Sequence, residues 1–188
     1  MHNPNVELES FKEQFEKELH GNILSYWMKY AIQKDGGGFY GAVDLKGNPI
    51  HGAAKTSVLN ARILWTYAEA AKNFNNKKYA EVAEKAFHVV TTDFADDEFG
   101  GYYMSIDAGN RPLDTIKHTY AQAFVLYALS KYYELNQSQS LSQKLKEYFE
   151  FLEEKTKDRE FPGYTEAFTV SGNHSQKTEW PTITSHGR

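Results

Sequence analysis

Between Asn5 and Tyr30 apolar side chains fall on every fourth position: Phe11, Phe15, Leu19 and Ile23, with Tyr26 or Trp27 continuing the line. That spacing predicts one amphipathic helix carrying a single apolar stripe. The same period recurs over Thr56–Asn73 and Lys78–Phe94, joined by the turn NFNNKK, and over Ile116–Leu135 and Ser140–Lys155, joined by NQSQS. Ahead of each helical pair the period changes to two. In GGFYGAVDLKGNP, Phe39, Gly41 and Val43 alternate with Tyr40, Ala42 and Asp44 before a Gly-Asn-Pro turn, the pattern of a short β-hairpin or extended loop.

These segments repeat. Gly37, Gly38, Tyr40, Asp44 and Pro49 line up with Gly100, Gly101, Tyr103, Asp107 and Pro112 at an offset of 63 (100 − 37). One deletion later, KTSVLNARILWTY (Lys55–Tyr67) lines up with KHTYAQAFVLYAL (Lys117–Leu129) at an offset of 62 (117 − 55). A third echo, FPGYTEAF, begins at Phe161. The domain is expected to span residues 1–170, with units of about 35–97 and 98–160, followed by a polar tail over 171–188. A lone helical pair leaves one apolar side uncovered, so such units stack into a solenoid or close into a ring. Long Gly- and aromatic-rich connections suit a ring whose loops build a rim around a central cavity. The expected fold is all-α, an (α/α) toroid with short β-hairpin loops between the helical pairs. Six units of about 62 residues would need about 370, and the 188 residues here supply about half of such a ring.

Composition narrows the function. The net charge of −4 and the lack of a basic, aromatic-interleaved patch argue against nucleic acid as a partner. Without cysteine there is no disulfide, thiolate nucleophile or Cys-ligated metal. The polar N-terminus has no signal-peptide pattern and no stretch reaches the length of a membrane span, so a cytoplasmic protein away from membranes is expected. The 28 aromatic residues (13 Tyr, 12 Phe, 3 Trp) either pack a core or offer platforms for sugar rings. His51, His88 and His118 show no i, i+4 pairing, so no metal is expected. The paired glycines fit no phosphate cradle, no cofactor is expected, and Gly37, Gly38, Gly100 and Gly101 are read as serving backbone geometry. Asp35, Asp96, Asp97 and Glu98 read as acidic loop tips. Arg62 shares a helix face with Lys55, Thr66 and Glu69 at about 100° per residue, which fits a solvated charge as well as the rim of a site.

Four motifs in order, DGGGFYGAVDLKGNP, KTSVLNARILWTYAEA, DEFGGYYMSIDAGNRPLDTIKHTYAQAF and GYTEAF, resemble the N-terminal half of the acylglucosamine 2-epimerase family over residues of about 11–170. The resemblance implies an (α/α)6 barrel and epimerisation at C2 of a reducing-end sugar such as cellobiose or an N-acylhexosamine. In that reaction the C2 proton leaves through an enediolate and returns on the other face. It also implies Arg62 as the catalytic cation beside the developing oxyanion, with Tyr120 as a neighbouring donor. Tyr40 and Tyr103 are candidates either for stacking on a sugar or for plugging the interfaces between repeat units. The family's proton-transfer histidines belong to its second half, and the motif that carries another functional histidine after GYxEAF departs here into TVSGNHSQKTEW. His174 and His186 lie in the polar tail and are not taken as catalysts. The half-length chain is therefore expected to be truncated, with its own activity in question. Exposed helix sides are expected to lead either to a homo-oligomer that closes the ring or to marginal stability. Two other readings stand beside this one: a non-catalytic carbohydrate-binding or assembly module, and an inverting glycoside hydrolase if Asp97 and Glu166 face one cavity.

Overall fold

The computed structural model describes residues 4–34 and 36–169. The tail residues His174 and His186, and Asp35, lie outside that range. The chain opens with a continuous helical run: α1 (Pro4–Glu18), a π-helical segment (Leu19–Leu24) and α2 (Ser25–Tyr30). Two helical pairs follow, α3 (Ser57–Phe74) with α4 (Lys77–Thr92), and α5 (Thr119–Leu135) with α6 (Gln139–Thr156). Short strands frame the loops at one end: β1 (Lys55–Thr56), β2 (Ser105–Ile106), β3 (Pro112–Asp114), β4 (Lys117–His118) and β5 (Ala167–Phe168). β1, β2 and β3 form an antiparallel sheet in that order, and β4 pairs with β5.

α3, α4 and α6 each start where the sequence provides a cap. Thr56 Oγ1 accepts from the Leu59 N–H, Asn76 from Lys78, and Ser138 from Leu141. α3 ends on Asn75 in the left-handed region at φ 47°, a conformation asparagine tolerates. The core lies where α3 packs on both α4 and α5, and it includes Leu64, Tyr67, Ala83, Val90, Phe94 and Val125. Small residues on α3 and α4, Ala61, Ala68, Ala71, Ala83 and Ala86, let the helices approach closely.

The first helix departs from the expected pattern. Phe15 is 72% exposed, and Phe11, Ile23 and Trp27 are also exposed, whereas the off-stripe Leu24 is buried. The π segment adds a residue to the turn and shifts the helical phase, so Leu24 rather than Ile23 meets α3. There the Leu24 carbonyl accepts the Tyr67 hydroxyl at 2.7 Å. Of the predicted stripe, Leu19 packs against the core and Ile23 and Trp27 border a cavity beside α3, while Phe11 and Phe15 stay exposed.

The loops of successive units share one construction. Bridges Ile32–Phe39, Ala95–Tyr102 and Lys157–Tyr164 close equivalent turns. Gly38 has φ +92°, and a Cβ there would sit 2.7 Å from Val89 Cγ2, so both conformation and space call for glycine. Gly100 and Gly101 have φ +76° and +73°.

Candidate active site

The N-terminal ends of α3 and α5 lie side by side beneath the strand-bearing loops, and of the predicted residues Arg62 and Tyr120 lie there. Arg62, on the second turn of α3, is exposed, and among the described residues no carboxylate pairs with it. It lies between two cavities. One, of about 230 Å³, is lined by Ala61, Arg62, Trp65, Thr66, Phe124 and Tyr127. The other, of about 270 Å³, lies toward the first helix and is lined by Ile23, Leu24, Trp27, Leu59, Ile63 and Tyr67 together with Arg62 and Thr66. A guanidinium with aromatic walls and no resident counter-ion keeps its donors available to an anionic oxygen. No histidine lines either cavity.

Tyr120 stands on the same exposed face of α5 as Phe124 and Tyr127, at i+4 and i+7. Its hydroxyl donates to Met104 Sδ at 3.8 Å and its ring leans on His118, with centroids 6.1 Å apart. Tyr120 thus belongs to the rim above the first cavity rather than to its walls. Tyr127 stacks on Trp65 at 5.5 Å, and Lys131 Nζ lies over the Trp65 ring, 5.8 Å from its centroid. Tyr40 and Tyr103 do not line either cavity. Tyr103 is half-buried under Lys117, whose Nζ is 5.1 Å from its ring centroid, and the Tyr103 N–H donates to the Phe94 carbonyl. Tyr40 is half-buried, with its N–H donating to Ala31.

The lysine in the short strand ahead of α3 and of α5 has an anchoring task that patterning alone did not reveal. Lys55 is buried in β1, not on the helix face of Arg62. Lys117, its repeat equivalent, is fully buried and forms a 2.6 Å ion pair with Asp96, which is itself buried and not a loop-tip acid. Lys117 also donates to the Gly100 carbonyl, while Asp96 accepts from the N–H groups of Glu98 and Phe99. Burial pushes Lys117 down from the usual lysine range and would raise Asp96. Asp96 is nevertheless held below the usual carboxylate range, because Lys117 and the two backbone donors outweigh its desolvation. Gln122, buried on α5, completes the anchor: its amide donates to the Tyr102 carbonyl at 2.7 Å and accepts from the Tyr102 N–H at 3.0 Å and the Tyr148 hydroxyl at 2.8 Å. The Gly-Gly-Tyr loop is therefore fixed to the helix below it. An i to i+62 lysine repeat was the available signal; the acid partner was hidden among four neighbouring acids.

Asp97 lines an outward groove with Lys144, Glu147 and Phe151, to which Glu166 does not contribute. Among the described residues, Asp97 and Glu166 are brought together in none of the cavities found. Among the described residues no group of three His, Asp or Glu is placed to hold a metal ion, and no helix is long and apolar enough to cross a membrane.

Residues 38–181 match the N-acylglucosamine 2-epimerase (GlcNAc 2-epimerase) family. The chain belongs to this family. It is 36% identical over 165 residues to cellobiose 2-epimerase of Bacteroides fragilis, covering 88% of this chain and 42% of that protein. It is 38% identical over 154 residues to cellobiose 2-epimerase of Eubacterium cellulosolvens, covering 81% of this chain and 37% of the relative. The fold superposes on the structure of cellobiose 2-epimerase from Spirochaeta thermophila with a TM-score of 0.84 at 30% identity, over 91% of this chain and 42% of that one. A D-mannose isomerase structure shares the fold with a TM-score of 0.73 at 19% identity. This epimerase-family chain thus spans about two-fifths of the length of the curated relatives it matches, and it is mostly helical like the barrels it superposes on.

Proposed function

We propose that the chain contributes the oxyanion-stabilising side of a carbohydrate 2-epimerase site, acting on a reducing-end mono- or disaccharide. The observation that carries this is Arg62: an exposed cation free of carboxylate partners among the described residues, set between two aromatic-lined cavities on an inner helix. When a base removes the C2 proton of the open-chain sugar, the electron pair moves onto the C1 carbonyl oxygen. Arg62 donates to that oxygen and so lowers the barrier to the enediolate. Tyr120 supplies a hydroxyl at the rim, and the Trp65–Tyr127 stack forms an apolar floor. Proton transfer itself falls to groups outside the described residues, in keeping with the family's histidines in the second half of the barrel. The ring is completed at the exposed edges, Phe15 on one side and Phe149 on the other, by further helical pairs of the same chain or of a second copy.

The test is chromatographic: incubate the protein, in the assembly that completes its ring, with cellobiose and measure formation of the epimer with a mannose reducing end. Its appearance with wild type and its loss in Arg62→Ala support the reading; equal conversion by both contradicts it. One observation favours the second reading, a saccharide-binding module without turnover: no histidine or carboxylate lines the cavities beside Arg62. Saccharide binding with no epimer formed would support it.

A further inference from the structure

The first two units build the same turn with one difference at its left-handed position. In the first unit that residue is Gly47, φ +81°, packed so closely on Tyr30 that a Cβ would lie 2.3 Å from the ring. In the second it is Asn110, φ 64°, at the tip of the β2–β3 hairpin. Asn110 uses its side chain: Oδ1 accepts from Lys55 Nζ at 2.9 Å, and Nδ2 donates to Asp93 Oδ2 at 3.0 Å, at the end of α4. A second difference matches the first. Gln33 occupies the position equivalent to Asp96, so Lys55, only 3% exposed, takes a neutral Gln33 Oε1 at 3.1 Å and the Gly37 carbonyl at 3.3 Å where Lys117 has a carboxylate. Asn110 thus supplies the third acceptor for a buried ammonium group.

From these paired departures we infer that Asn110 is a positioning residue, latching the β2–β3 hairpin onto Lys55 so that the hairpin stands as a fixed wall between α3 and α5. The root of that hairpin reaches both helices. The Met104 carbonyl accepts the Ser57 N–H at 3.1 Å in the first turn of α3, and Met104 Sδ accepts the Tyr120 hydroxyl at 3.8 Å. Releasing the tip frees the root from which Tyr120 takes its bearing. That the wall serves a sugar site rests on the function proposed above; the latch itself does not.

The test uses Asn110→Gly, which keeps the positive φ available as Gly47 does, and the double variant Asn110→Gly/Gln33→Asp, which gives Lys55 a carboxylate without restoring the latch. In hydrogen exchange, the amides of Asp107 and Asn110, which donate across the turn, exchange about tenfold faster or more in Asn110→Gly while the helices are unchanged. The double variant leaves that loosening in place, and KM for cellobiose rises in both variants with kcat little changed. Unaltered hairpin exchange in Asn110→Gly overturns the latch. So does recovery of protection by Gln33→Asp, because the effect would then be relief of the buried charge alone. A loosened hairpin with unchanged KM overturns its service as a site wall. If the wild type turns over no sugar, the proposed function fails and the exchange arm still decides the latch.

Discussion

Replacing Asp96 by asparagine tests the anchor beneath the second loop. The change keeps the size of the side chain and an oxygen for the Glu98 and Phe99 N–H groups, but leaves Lys117, with 0% of its side chain exposed, without a counter-ion. Breaking a buried pair from one side costs about 3–5 kcal/mol. At about 2–4 °C per kcal/mol for a chain of this size, the melting temperature should fall by roughly 6–20 °C. Adding Lys117→Met removes the stranded charge, and the double variant should recover a large part of the loss, since a well-packed apolar replacement is often close to neutral. The sign with pH follows from Asp96. Its folded pKa is depressed, so the stabilisation is present above the unfolded carboxylate value of about 3.9 and disappears as pH falls through the lower folded value. Wild type should therefore lose more stability than Asp96→Asn on acidification below about pH 4. Urea melts of the two single variants and the double, at neutral and acid pH, read this directly. Losses that simply add in the double, or an Asp96→Asn variant as stable as wild type, would refute the reasoning.

Gln122→Leu keeps volume but strands the Tyr102 backbone and the Tyr148 hydroxyl, and should cost about 3 kcal/mol in chemical denaturation. Thr56→Ala removes the cap of the helix that carries Arg62, with an expected loss of about 1 kcal/mol in the same assay. Gly38→Ala combines a left-handed backbone with a contact into Val89, and should lower the melting temperature more than Thr56→Ala does. Arg62→Ala, by contrast, removes an exposed side chain and should leave stability within about 0.5 kcal/mol of wild type while abolishing epimerisation.

Much of the helical framework was legible because a period of 3.6 on either side of a polar turn is a strong signal, and the offset of 62–63 residues marked where each unit begins again. The family followed from the same motifs. Two features escaped because they depend on partners distant in sequence. Lys55 continues the helical pattern of α3 in sequence, yet its backbone pairs with Ile106 and its ammonium group is consumed by the neighbouring loop. Asp96 looks like its acidic neighbours, and only Lys117, 21 positions on, distinguishes it. The stripe of the first helix failed for a different reason: a π turn at Leu19–Leu24 changes the phase, which a fixed period of 3.6 does not anticipate. For Arg62 the sequence is compatible with a surface charge and with a site residue; the fold sets Phe124 and Tyr127 on the same cavity, and its role in a site is the proposal made above.

The central claim is that Arg62 stabilises an enediolate formed at C2 of a sugar. Proton NMR of the protein in the assembly that completes its ring, with cellobiose, glucose, mannose and N-acetylglucosamine in D2O, measures it directly, by following the C2–H signal. The account predicts loss of that signal for at least one sugar with wild type and its retention with Arg62→Ala. Retention of C2–H in every sugar with wild type, or equal loss in both proteins, would contradict it.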